Sequence, residues 1–381
     1  MPMDIQALRE QINECDDVLA RTFIKRMEVA SEIARYKKEN DLPVLDPARE
    51  RAVISHVTDG VDEGMAVNLK LLYNTIFDLS RTYQQRLLTQ QTELVNRIQR
   101  AIEQTPSVFP KRAVVACQGV EGAYSQQACD KLFALPNITY FKRFEGVFQA
   151  IQSGLCEYGV LPIENSSYGS VAEVYDLMRK YRFHIVRSVR MKIDHRLLAK
   201  QGVKLADVRE IVSHEQAIGQ CGAFLKGLKD VKITVFGNTA EAAQFVSASD
   251  RSDLAAISSP ACAALYGLHV LADQVSDSDS NFTRFICIAK ELQIYPGANR
   301  MSLMLNVRHT PGALYAMIAK FAALGLNLTK IESRPIAGTD FEFMFYFDLD
   351  ASVYAPEALQ LLCELDAGPE TFTYLGSYSE M

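Results

Sequence analysis

The first forty residues confine this chain more tightly than any other stretch. Ile5, Leu8, Ile12, Cys15, Leu19, Phe23, Ala30 and Ile33 recur at steps of three or four residues, or two such steps together. That repeat marks one face of an α-helix. A helix of this length carries more apolar surface than a lone three-helix domain can cover, so pairing with a second copy of the chain is expected. Asn40-Asp41-Leu42-Pro43 ends the helix, and Asp46-Pro47 reads as an N-cap with proline at the first helical position. A shorter helix then runs to about Thr58, Asp59-Gly60 to Gly64 makes a turn, and a third helix is expected over 66–103.

The pattern changes after a linker, Thr105-Pro106-Ser107-Val108-Phe109-Pro110. From Arg112 to Ala289 short apolar strands alternate with helices, most clearly at 113–116, 158–161, 211–212, 233–235 and 254–257. That alternation predicts an α/β domain with largely parallel sheets. Tyr295-Pro296-Gly297 marks a second linker. The remainder reads β-α-β-β-α-β over 301–307, 312–325, 327–333, 341–349, 355–366 and 371–376, the ferredoxin-like order. The expected domains are therefore 1–104, 111–291 and 299–381.

Composition bounds the function. A chain of 381 residues with 48% hydrophobic and 23% charged residues is of ordinary globular type, and its net charge of -6 argues against nucleic acid or an anionic membrane as the main partner. A site for an acidic metabolite must then be a local cluster of cations. The eight cysteines are scattered without a C-x-x-C pair, which fits reduced thiols in the cytoplasm and neither a disulfide framework nor a metal site. Met1-Pro2-Met3-Asp4 carries no basic-then-apolar leader pattern. Residues 254–272 lack Asp, Glu, Lys and Arg, but Ser258-Ser259-Pro260 and Gly267 break them into strand, turn and short helix.

Cations sit on the apolar stripe of the first helix. Arg26 and Lys37 share one face, because eleven residues make three turns plus about 20° and about 16 Å of rise. Long side chains leaning together from there can hold a small dicarboxylate, whereas Arg9 lies about 100° away and suits a partner's pocket better. Asp46, Arg49 and Glu50 open the second helix, and Ser80 and Gln84 lie one turn apart on the third. Together with Ala7-Leu8-Arg9-Glu10, this set resembles the all-helical class of chorismate mutase. The resemblance implies an interlocked dimer in which Arg9 reaches into the other protomer's site. It further implies that Arg9 and Arg26 bind carboxylates, that Lys37 and Gln84 face the ether oxygen, and that Asp46, Arg49, Glu50 and Ser80 position the rest. The rearrangement is pericyclic, so the site need only hold the reactive conformer and stabilise growing negative charge.

Three segments of the middle block carry a second constellation. Pro162-Ile163-Glu164-Asn165-Ser166-Ser167 follows a strand and leads into a helix, Val212-Ser213-His214-Glu215-Gln216 continues to Gln220, and Asn281-Phe282-Thr283-Arg284-Phe285 opens an apolar run. These segments, with Gly119-x-x-Gly122-x-Tyr124-Ser125 and Ile193-Asp194-His195, resemble the prephenate dehydratase family. Val120, Ala123 and Glu215 depart from residues common there. The implied fold is two α/β lobes, periplasmic-binding-protein-like, with the site between them. The implied reaction expels hydroxide and carbon dioxide from prephenate to give phenylpyruvate. Thr283 is the expected hydrogen-bond donor to the leaving hydroxyl. Glu164 is the expected proton source on the condition that burial raises its pKa, and His214 is the next. Asn165, Ser166, Ser213 and Gln220 are expected to orient substrate, and Arg284 to touch ligand or brace the cleft. In a regular strand Thr283 and Arg284 face opposite ways.

Thr310-Pro311-Gly312-Ala313-Leu314 and Ile331-Glu332-Ser333-Arg334-Pro335 resemble the amino-acid-binding ACT module attached to dehydratases of this family. The implied effector is phenylalanine, held between paired modules by Gly312, Ala313 and Leu314 and by Glu332, Ser333 and Arg334. The resemblance as a whole is to the bifunctional chorismate mutase–prephenate dehydratases, enzymes of phenylalanine biosynthesis working without cofactor or metal as a homodimer or higher homo-oligomer. Two alternatives remain open at this point: dehydration of arogenate in place of prephenate, and a sensor without catalysis.

Overall fold

The computed structural model describes residues 4–40, 42–88, 92–307, 309–336, 342–368 and 371–381. Asp41 in the expected helix stop, residue 341 at the expected start of a strand, and Met1 to Met3 lie outside the described residues. The chain divides into two compact units. One comprises 1–97, 306–327 and 354–372, the other 98–305, 328–353 and 373–381. This grouping follows contact and not sequence block, so the helices of the last block fall in the first unit and most of its strands in the second.

In the first unit α1 spans Ile5–Glu39, α2 Pro47–Thr58 and α3 Glu63–Leu88. Asp4 caps α1 by accepting from the Gln6 amide, and Asp46 caps α2 by accepting from the Arg49 amide at 3.0 Å. Both use a carboxylate to satisfy a helix N–H that has no partner within the helix. The single helix expected over 66–103 is instead two, because α4 begins afresh at Glu93–Gln104. Thr92 supplies the start: its hydroxyl accepts from the Val95 amide at 3.3 Å and its carbonyl from Asn96 at 3.0 Å. Periodicity alone does not register such a cap. On α1 only Ala30 and Ala34 are buried, while Ile12 and Leu19 are 61% and 62% exposed. The apolar stripe that defines this helix is thus mostly uncovered within one chain.

The second unit is built on three sheets. Strands β1 Arg112–Gln118, β2 Leu135–Phe141, β3 Tyr158–Asn165, β4 Gly169–Ser170 and β5 His184–Lys192 belong to the first. The chain then builds a second sheet from β6 Arg196–Ala199, β7 Glu210–His214, β8 Lys232–Phe236, β9 Leu254–Ser258 and β10 His269–Ala272. It returns with β11 Phe282–Ala289, which inserts between β3 and β5. The orders are β2-β1-β3-β11-β5, with β4 paired to β3, and β10-β6-β9-β7-β8. Strand β1 runs parallel to β2 and β3, but β11 is antiparallel to both neighbours, so the sheets are mixed where largely parallel ones were expected. Two crossings between sheets make two lobes, and β11 begins where the chain crosses back.

Strand β11 is buried on both faces, which is why its sequence is continuously apolar. Phe285, Cys287 and Ala289 enter one core with Val115 and Val160, and Ile286 and Ile288 enter another with Leu161 and Ile163. The linker before the domain is packed as well. Phe109 is buried, with Phe133 and Tyr295 at ring-centroid distances of 5.0 and 4.8 Å and the Arg187 guanidinium 4.1 Å above its ring. The third sheet uses β12 Arg300–Asn306, β13 Asn327–Pro335, β14 Phe343–Asp350 and β15 Phe372–Tyr378 in the order β13-β14-β12-β15, the ferredoxin-like arrangement. Met304, Met344, Tyr346 and Tyr378 join Ile286 and Ile288 in one core, so β12, β14 and β15 pack on the same face of β11 as those two isoleucines. Among the described residues no helix is long and apolar enough to cross a membrane.

Two candidate active sites

A cavity of about 660 Å³ opens among α1, α2 and α3. Arg26, Lys37, Asp46, Arg49, Glu50, Ser80 and Gln84 all line it. Helical spacing aims Arg26 and Lys37 inward, and the end of α1 is pinned because Lys37 Nζ donates to the Val44 carbonyl at 2.6 Å. Arg26 lies 5.7 Å from the centre of the Phe77 ring, and its Nη1 is buried with no hydrogen-bond partner among the described residues. A guanidinium so placed favours an anion, since its own desolvation is otherwise uncompensated. Gln84 Nε2 donates to Ser80 Oγ at 3.3 Å, keeping its second proton for a ligand, and both side chains are buried. Arg81, which sequence reasoning missed, also lines the cavity and pairs with both Glu50 and Asp78. Glu50 thereby braces Arg81. Arg9 is exposed and does not line this cavity.

The second site lies at the crossing between the lobes of the α/β domain. Thr283 pairs with Asn165, and Arg284 with Glu164, across β11 and β3. Paired residues share a face, so the four side chains divide two and two. On one face Asn165 Nδ2 donates to Thr283 Oγ1 at 2.9 Å and to Asn281 Oδ1 at 2.8 Å. Gln220 Nε2 approaches Asn165 Oδ1 at 3.5 Å, and Gln220 Oε1 lies 2.8 Å from His195 Nε2. Tyr124, which opens the helix Tyr124–Leu132, donates to the Asp194 carbonyl at 2.6 Å, and burial pushes its phenol pKa upward. Ser166 joins the two strand ends by donating to the Ser280 carbonyl and accepting from the Phe282 amide, both at 2.9 Å.

The other face carries charge. Arg284 is 6% exposed, pairs with Asp348 of β14, and holds its Nε 2.6 Å from Glu164 Oε1. Burial opposes its charge, but Asp348 and Glu164 outweigh burial and raise its pKa. Lys330 of β13 closes the circuit by pairing with Glu164 and donating to Ser170 at 2.9 Å. Ser302 donates to Asp348 at 2.5 Å. The geometry therefore does not bring Glu164 to Thr283. It points away from that hydroxyl, toward two cations, because β3 turns alternate residues to opposite faces. Arg284 braces the strand against the third sheet.

Two further side chains expected to meet substrate serve the backbone instead. Ser213 is fully buried and donates to the Ile257 carbonyl at 2.6 Å, tying β7 to β9. His214 caps the helix Glu215–Gln220 by accepting from the Gln216 amide at 3.3 Å, and burial lowers its pKa. Gly312, at φ +84°, opens the helix Ala313–Ala323, and Gly312 and Ala313 line a cavity of about 540 Å³, while Leu314 does not. On β13, Glu332 accepts from Ser170 Oγ at 2.6 Å and Arg334 pairs with Asp176 at 3.0 Å, while Ser333 lies on the exposed face. Sequence reasoning also left Asn281 and Asp348 without a role. Asn281 was readable as the residue two before Thr283, but Asp348 carried no sequence signal.

Comparison with known proteins bears on both sites. The chorismate mutase type II family model matches residues 8–85 and the prephenate dehydratase model residues 115–293. The bifunctional chorismate mutase/prephenate dehydratase of Escherichia coli (strain K12) is 31% identical over 98% of this chain and 95% of its own length. Arogenate dehydratase/prephenate dehydratase 2 of Arabidopsis thaliana is 37% identical over 70% of this chain and 73% of its own. The solved prephenate dehydratase of Arthrobacter aurescens, in complex with L-Phe, superposes with a TM-score of 0.64 at 27% identity, covering 70% of this chain and 89% of that one. Helices and lobes thus belong to an enzyme with a helical chorismate mutase domain followed by an α/β prephenate dehydratase domain. The chain belongs to the family of bifunctional chorismate mutase/prephenate dehydratases.

Proposed function

We propose that this enzyme converts chorismate to prephenate in the helical cavity and prephenate to phenylpyruvate at the Thr283 site, two steps of phenylalanine biosynthesis. The observation that carries the reading is the single cavity lined by Arg26, Lys37, Arg49, Ser80 and Gln84. Three cations suit a dianion, and a buried amide with a spare proton suits an ether oxygen gaining charge. No proton is transferred in the rearrangement, so the site needs no general base.

Dehydration demands more. The electron pair of the breaking C–CO₂ bond aromatises the ring and expels hydroxide, which must take up a proton as it leaves. Thr283 Oγ1 already accepts from Asn165, so its own O–H is free to hydrogen-bond to that hydroxyl and polarise it, while the proton that makes it water comes from solvent, a threonine being too weak an acid to be the source. Glu164 is engaged by Arg284 and Lys330, so we assign it a bracing role in place of proton supply.

The C-terminal block is read as an ACT module whose effector is L-phenylalanine, in a cytoplasmic homodimer or higher homo-oligomer without metal or cofactor. The ferredoxin-like strand order, the positive φ of Gly312 and the uncovered stripe of α1 support this reading. Arg9 then serves the partner's cavity. A coupled assay from chorismate to phenylpyruvate, with and without phenylalanine, tests it. Absence of both products would remove the enzyme reading, and indifference to phenylalanine would remove the effector. The 37% identical plant relative favours arogenate as a second dehydratase substrate. Competition between prephenate and arogenate decides that point, and a marked preference for arogenate would replace the assignment.

A further inference from the structure

Two backbone groups decide the polarity of the hydrogen-bond chain at the dehydratase site. The amides of Ser167 and Tyr168 donate to Asn165 Oδ1 at 2.9 and 3.0 Å, which leaves the two protons of Nδ2 for Asn281 Oδ1 at 2.8 Å and Thr283 Oγ1. Backbone donors and acceptors cannot exchange roles, so the Asn165 amide has one orientation. Its neighbours inherit their roles from it. Thr283 Oγ1, 2.9 Å from Nδ2, has to accept and is left with a proton to give. On the other side Gln220 meets Oδ1 with its NH₂ end, which turns Gln220 Oε1 toward His195 Nε2 at 2.8 Å. An amide oxygen there requires an N–H, so Nε2 carries the imidazole proton and Nδ1 is bare. His195 is 3% exposed, and its Nδ1 makes no hydrogen bond among the described residues. Burial also lowers its pKa, in keeping with a neutral ring.

We propose that His195 is a positioning residue for dehydration: its Nε2–H holds Gln220 with its NH₂ end toward Asn165 Oδ1, a side-chain support added to the backbone groups that keep Asn165 against Thr283, the donor to the departing hydroxyl. The proposal rests on reading Thr283 as the group that meets that hydroxyl. A side chain three links from Thr283, and so four from the reacting hydroxyl, acts on the transition state more than on substrate binding, so the effect belongs in kcat.

The test uses the full chain with prephenate, and mutase activity and thermal melting report on the fold. His195→Leu keeps the bulk but removes the donor, and should lower dehydratase kcat roughly ten- to hundredfold with KM within about twofold, the scale of a mispositioned catalytic group. His195→Gln restores an N–H donor and should recover most of that loss. Gln220→Glu still accepts from His195 but has no proton for Asn165 Oδ1, and should fall as His195→Leu does. Equal losses in His195→Leu and His195→Gln, or a raised KM with kcat intact, would overturn the proposal. So would full turnover in Gln220→Glu, which decides the matter even if His195→Leu fails to fold. Thr283→Ala separates the two readings. If it retains dehydratase activity the site itself is misassigned, and if it is inactive while His195→Leu turns over normally, only the role of His195 is lost.

Discussion

The two sites of this chain solve opposite problems. The helical cavity gathers formal charges, with Arg26, Lys37 and Arg49 facing one space and Arg26 Nη1 left without a hydrogen-bond partner among the described residues. The α/β site presents neutral amides, a hydroxyl and a buried imidazole, and turns its charges to the far face of the same strands. A rearrangement that moves no proton is served by fixed cations that need not change state. An elimination whose leaving hydroxyl must be polarised is served by a chain whose donors and acceptors are all assigned. The difference also shows in robustness. Cations on long side chains tolerate small displacements, whereas a hydrogen-bond chain is broken by one reversed amide.

That contrast can be broken by single substitutions. Thr283→Ala removes the group at the end of the chain and should lower dehydratase turnover by about three orders of magnitude while mutase activity persists, the middle of the range for lost acid–base assistance. Equal loss of both activities would mean that Thr283 serves the fold. Arg26→Ala should do the reverse, reducing mutase kcat/KM by about a hundredfold with dehydration of added prephenate unchanged. Retained mutase activity there would remove the cavity from the mechanism.

A smaller effect is expected on the far face. Asp348→Ala leaves Arg284 buried beside one carboxylate instead of two, and stranding such a charge costs on the order of 3 kcal/mol. Melting temperature should drop, and dehydratase activity should suffer more than mutase activity. An unchanged melting temperature would show that the network is dispensable. The smallest effect is on pH. Burial depresses the folded-state pKa of both His195 and His214, so the unfolded chain binds protons more readily. Stability is then undiminished above the unfolded value of about 6.5 and declines as pH falls below it. Melting curves between about pH 7 and pH 5 should show this, with a shallower decline in His195→Gln.

Much of this was legible in residue order. The 3.6-residue repeat of α1 placed Arg26 and Lys37 on one face before any packing was known, because helical geometry is local. The continuous apolar run of β11 announced a strand buried on both sides, and alternation announced that Thr283 and Arg284 point apart. What alternation could not say was which face was which. That depends on the third sheet, whose Asp348 lies 64 residues along the chain from Arg284 and claims its guanidinium. Glu164 reads as a buried acid in sequence and becomes a brace for the same reason.

The sequence by itself therefore determined most of the elements, though not the fresh start of α4, together with the family and the residues that meet in the helical cavity, since each follows from spacing along a regular backbone or from local motif. Tertiary structure alone decided what Glu164, Arg284, Ser213 and His195 face. Their partners come from strands and loops far away in sequence, and a polar side chain's chemistry is set by what it faces.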